Sequence, residues 1–125
     1  MTAEGKTRRI DLHTHTTASD GTLSPAETVA LAAELGISAI AVTDHDTAAG
    51  VAEAAEAGAR LGVEVVPGIE VNAGWQDLGI HILGYFIDPE SPALRELLDE
   101  VIAVGRWTDV DGHEFKVVEY GDEEA

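Results

Sequence analysis

No cysteine occurs among the 125 residues. Disulfides, thiolate zinc sites and cysteine nucleophiles are therefore excluded, and the composition fits a reducing, cytoplasmic setting. Basic residues are also scarce: seven Lys and Arg stand against 24 Asp and Glu, a formal net charge of −17. So acidic a surface repels phosphate backbones, which argues against nonspecific nucleic-acid binding through a basic face. A phosphorylated ligand would need its charge met by something other than side chains. A bound divalent metal is the largest positive charge a small site can acquire. No apolar run nears the length of a membrane span, and "MTAEGKTRR" lacks the apolar stretch of a secretory signal. Neither membrane insertion nor export is expected. Most of the acid reads as solubility charge on helix faces and on the tail "YGDEEA".

The length suits one domain with a real core. "TRRIDLH" reads as a short strand, and "LSPAETVALAAELG" as a helix with Ser24 as N-cap, Pro25 in the first turn and Glu27 closing a capping box. Gly36 ends that helix. "ISAIAV" is a continuous apolar run, as in a strand covered on both faces. "TDHD" then turns into the alanine-rich helix "TAAGVAEAAEAGARLG", with Asp46 or Thr47 as its N-cap. A third strand, "VEVV", leads into "PGIEV" and is expected to end near Glu70. Strands alternating with helices of this length predict βαβ units and a mostly parallel sheet. Beyond Asn72, "AGWQDLG" reads as a turn, "IHILGYF" as a strand, and "SPALRELLDEVIAV" as a helix started by Ser91 and Pro92. Asp111-Gly112 lies between two alternating β-prone runs and predicts a C-terminal hairpin.

"IDLHTHTTASDG" carries two of the five histidines one residue apart. Residues two apart on a strand point the same way, so Asp11, His13 and His15 share a direction at the end where α/β folds keep their chemistry. Two imidazoles so placed can grip one metal ion. Coincidence explains that pair alone about as well. Asp44, His45 and Asp46 occupy the corresponding place after the second strand, where Asp44 can simply hold the turn. Glu70 follows after the third. His81 alternates with Leu83 and Tyr85, and Asp20 alone would be a turn former. Singly most are ambiguous. Together they gather four histidines and several carboxylates at consecutive strand ends, a mixed donor set suited to zinc, manganese or ferrous iron more than to magnesium.

"DLHTHTTASDGTLSP", "AVTDHDT", "PGIEV" and "IHILGY" together resemble the N-terminal half of a PHP (polymerase and histidinol phosphatase) domain, from about Arg9 to Glu100. The likeness is greatest to the branch of nucleoside 3′,5′-bisphosphate phosphatases and RNA 5′-exonucleases. The resemblance implies a distorted α/β barrel with up to three divalent ions. His13 and His15 would bind one, Glu70 would bridge to a second completed partly by His81, and Asp20 with His45 would hold a third. Asp11, Asp44 and Asp46 would support these groups from behind. The implied activity is hydrolysis of a phosphate ester, of a nucleotide or a similar small molecule, by metal-activated hydroxide.

The pattern departs from the family near Val101, dividing the chain into a PHP-like half-barrel over 1–100 and a divergent hairpin and acidic tail over 101–125. A complete barrel of this class takes on the order of 200–250 residues, so the expected fold is a partial barrel plus hairpin. By the resemblance, the chain is expected to lack the family's later ligands, including a terminal Asp-x-His. Asp111-Gly112-His113 spells that motif but sits at the predicted turn, and His113 is left outside the site. The second reading is therefore a catalytically incomplete remnant that binds metal or a partner, either a second copy or a complementing chain.

Overall fold

The computed structural model describes residues 8–75, 78–104, 106–108 and 114–117. Helix α1 (Pro25–Glu34) forms where its start signals predict. The Glu27 N–H donates to the Ser24 hydroxyl at 3.1 Å, and the Ser24 N–H donates to the Glu27 carboxylate at 2.9 Å. These bonds satisfy donors that a bare helix start would leave open. They also hold the Glu27 carboxyl below its usual range. Helix α2 (Val51–Leu61) stops at Gly62 in the left-handed conformation, φ 75°. It starts later than either expected N-cap. Gly50 occupies the cap position without a side-chain bond, and the Thr47 hydroxyl instead accepts from the Ala49 N–H. Asp46 lies too far before Val51 to cap the helix, and its N–H donates to the Glu70 carbonyl, 2.9 Å away, in the sheet.

Val29 and Ala32 of α1, Ile40 and Val42 of the second strand, and Val51, Ala54, Ala57 and Val63 in and after α2 form the core. Each fully buried Val or Ile there contributes about 1.5–3 kcal/mol. Gly58 lets α2 lie close to the chain that follows it: a Cβ there would lie 2.5 Å from the Val63 carbonyl oxygen.

Strands β1 (Arg9–Thr14), β2 (Ile37–Val42) and β3 (Glu64–Trp75) run parallel, with Ala39 opposite Glu64 and Val42 opposite Pro67. The parallel expectation holds for these three. From β4 (Leu78–Tyr85) onward the pairing is antiparallel. The third strand does not end near Glu70. It continues to Trp75, because from Gly68 its backbone pairs with β4 on one edge. On its other edge it meets β2, then His45, then β6 (Glu114–Val117). Ala73–Trp75, read as part of a turn, belong to β3, while Gln76 and Asp77 lie outside the described residues. Helix α3 (Pro92–Val104) begins at Ser91, whose hydroxyl accepts from the Leu94 N–H. The expected hairpin is present as β5 (Arg106–Thr108) paired antiparallel with β6. Its Asp111-Gly112 turn, His113 and the acidic tail lie outside the described residues. Among the described residues no helix is long and apolar enough to cross a membrane.

Candidate metal centre

Glu70 sits mid-strand in β3, 2 % exposed. A buried carboxylate is costly unless it is paired, and here imidazoles surround it. His13, on β1, places Nε2 2.8 Å from Glu70 Oε1, and His15, just past that strand, places Nε2 2.9 Å from the same oxygen. His81, on β4, brings Nδ1 into a short contact with the other oxygen, Oε2. Burial alone would push the Glu70 carboxyl up. Hydrogen bonds from His13 and His81, with the charges of His45 and His13, outweigh it and hold the group below its usual range. Glu70 therefore stays an anion in the interior.

His45 follows β2, and its backbone bridges to Glu70 as a continuation of the parallel pairing. Its Nε2 lies 3.5 Å from Asp20 Oδ2, and its ring stacks on His15 with centroids 4.5 Å apart. Asp20 Oδ1 is 3.4 Å from His15 Nδ1, an atom that is buried and makes no hydrogen bond. Two sets could each hold a metal ion: His13, His15 and Glu70; and His15, Asp20 and His45. Within each set one donor atom per residue lies within 4.8 Å of the others. His15 is common to both. The nitrogen and oxygen donors fit a first-row divalent ion, and the bondless His15 Nδ1 is what a ligand atom lacking its ion looks like.

Three further acids play different parts. Asp44, 1 % exposed, accepts from the Thr16 N–H at 2.6 Å, the Thr16 hydroxyl at 2.8 Å and the Ser19 hydroxyl at 2.7 Å. It ties the loop that carries Asp20 to the end of β2. Asp11 accepts from the His13 N–H at 3.1 Å on the exposed rim. Asp46 has φ 55° and a buried Oδ1 with no donor. Burial raises its carboxyl above the usual range, with a contribution from Glu70 and partial relief from the Asn72 N–H and His45.

Sequence reasoning missed four groups. Thr16 and Ser19 serve Asp44. Asn72 is buried, and its Oδ1 lies 3.1 Å from His45 Nδ1. The Tyr85 hydroxyl donates to the Leu12 carbonyl at 2.7 Å, drawing β4 toward β1 across the site. Asn72 had one available signal: two residues past Glu70, it shares that residue's face.

The pattern of the PHP domain family matches residues 11–98. A 5′-3′ exoribonuclease of Haemophilus influenzae is 40% identical over 116 residues, 93% of this chain and 39% of that protein. A 3′,5′-nucleoside bisphosphate phosphatase of Chromobacterium violaceum is 47% identical over 92 residues, 74% of this chain and 32% of that one. The solved structure of an amidohydrolase from Chromobacterium violaceum, with bound sulfate and no metal, superposes with a TM-score of 0.71 at 44% identity, over 74% of this chain and 33% of that one. This chain thus spans well under half the length of the relatives it resembles.

Proposed function

The chain belongs to the PHP domain family, and from that premise we propose that it serves in metal-dependent hydrolysis of a phosphate ester, with a nucleotide or similar small molecule as substrate. His13, His15, Asp20, His45, Glu70 and His81 would hold the ions, with residues 1–100 as the family-like part and 101–125 as a divergent extension. Manganese, zinc and iron suit the mixed donors. The observation that carries this reading is the buried Glu70 carboxylate between His13, His15 and His81. The names of the two relatives, which act on RNA and on a nucleoside bisphosphate, support the substrate class.

Bound divalent ions supply the positive charge that this acidic chain lacks and increase the acidity of water. The chain's own residues do the placing. Glu70 offers an oxygen to each side of the cluster, and Asp44 fastens the loop that presents Asp20. The His15–His45 stack keeps those rings at a fixed separation.

A second reading, a metal-binding module that needs a complementing chain, draws on one feature. Ile10 and Leu12 of β1 are 60% and 40% exposed, apolar side chains left partly open to solvent.

The test is elemental analysis of protein purified without chelator, together with phosphate release from a nucleoside 3′,5′-bisphosphate in added manganese. The expected result is bound metal and chelator-sensitive turnover, with His13→Ala lowering both. Metal without turnover favours the module, and neither metal nor turnover overturns both readings.

A further inference from the structure

We propose that Asn72 is a positioning residue that sets the tautomer of His45, keeping the ring hydrogen on Nδ1 and turning the Nε2 lone pair toward Asp20 and His15. The significance for metal binding rests on the function proposed above; the tautomer does not.

Asn72 is 5 % exposed, and its Oδ1 lies 3.1 Å from His45 Nδ1. A carbonyl oxygen can only accept, so this contact requires the hydrogen on Nδ1. Glu70 Oε1 is 3.9 Å from that nitrogen, beyond hydrogen-bond reach. The opposite ring nitrogen, Nε2, faces Asp20 Oδ2 at 3.5 Å. A hydrogen there would point at the carboxylate and block the ring as a ligand.

The sheet makes the contact durable. His45 bridges to Glu70, and Asn72 is two residues further along the same strand, opposite His81 in the β3–β4 ladder. Backbone pairing on both sides therefore fixes the distance between the amide and the ring. The choice of an amide also has an electrostatic reason. Glu70, Asp20 and Asp46 already place carboxylates near these imidazoles, and a further one set directly on Nδ1 would favour the imidazolium, which cannot coordinate. A neutral acceptor selects the tautomer without adding charge.

The experiment reads the tautomer first. In metal-free, full-length protein with nitrogen-15-labelled histidine, at a pH where the rings are neutral, the His45 resonances are assigned by their loss in His45→Gln. The expected pattern is Nδ1-protonated. In Asn72→Leu, similar in size but without an acceptor, it should move toward Nε2–H; in Asn72→Asp it should remain Nδ1–H. Zinc titration then follows, with affinity falling about 10–100-fold in Asn72→Leu. Wild-type His45 with its hydrogen on Nε2 overturns the proposal, as that is the result of an amide donating through Nδ2. So does an Nδ1–H pattern that survives Asn72→Leu. Packing damage alone would cut zinc affinity without changing the tautomer, and that outcome also overturns it. If wild-type protein binds no zinc, the metal reading fails while the tautomer result stands on its own.

Discussion

Asp46 shows how a single residue at this site costs stability. Its half-buried carboxyl has a raised pKa, with desolvation as the main cause. A carboxyl raised in the folded state contributes stability when protonated. That contribution is fully present below the unfolded value, near 3.8, and is lost as pH rises through the folded value. At neutral pH the charge therefore destabilises the fold. Asn has no charge to desolvate and tolerates φ 55° as readily as Asp does. Asp46→Asn should melt higher than wild type at pH 7, and the difference should close near pH 3 in thermal scans followed by circular dichroism. A variant that melts lower at pH 7 would show that the carboxylate is needed in its charged form. Glu70 has the opposite sign: its depressed pKa means that its stabilisation is present at neutral pH and lost on acidification through the folded value. Both acids occupy the same few ångströms of backbone, so their environments, and not their residue type, set their effect.

The loop between β1 and α1 depends on one glycine. The Gly21 N–H donates to the Thr16 carbonyl at 2.8 Å, and a Cβ at that position would lie 2.4 Å from the His15 carbonyl oxygen. The three atoms nearest to it all belong to backbone, so they cannot swing aside as the end of a side chain could. Gly21→Ala should displace the loop and carry Asp20 away from His15 and His45, at a stability cost of about 1–3 kcal/mol. Urea unfolding measures the cost, and metal analysis should show a lower metal content than wild type. An alanine variant with unchanged metal content would mean that the loop adapts without moving Asp20. In the sequence, "SDG" announced a turn but not this reason for it. The close approach of Gly21 to His15 exists only once the loop has folded back on the strand.

Across the whole molecule the excess of acid matters most. With a net charge of −17, repulsion opposes the folded state and salt screens it. Melting temperature should therefore rise between low ionic strength and about 0.15 M sodium chloride, where the Debye length falls to about 8 Å. Manganese should raise it further at equal ionic strength, because an ion that binds only the folded state adds about 2.7 kcal/mol at a hundred times its dissociation constant. Chelator should remove that second increment and leave the first. Equal effects of manganese and magnesium at matched ionic strength would point to diffuse screening in place of a site of nitrogen and oxygen donors.

Much of this was legible along the chain. The capped first helix, the apolar run of β2 and the spacing of His13 and His15 depend on near neighbours, and local rules read them correctly. The two strands of the later hairpin are present as well, while the Asp111-Gly112 signal that pointed to it lies outside the described residues. The length of β3 escaped such rules because its second half is held by pairing with β4, which the residues of β3 taken alone do not announce. Asp46 does not cap the helix because the chain is still paired to the sheet there, through its N–H and Glu70, 24 residues on, and the helix starts only at Val51. Asn72, Thr16 and Ser19 looked ordinary, since a polar side chain acquires its role only from the partner that folding brings to it. Residue types and their order set which donors could meet; the curl of the sheet and the Tyr85–Leu12 bond decide which ones do, because hydrogen bonds and coordination act over about 3 Å and sequence separation carries no such distance.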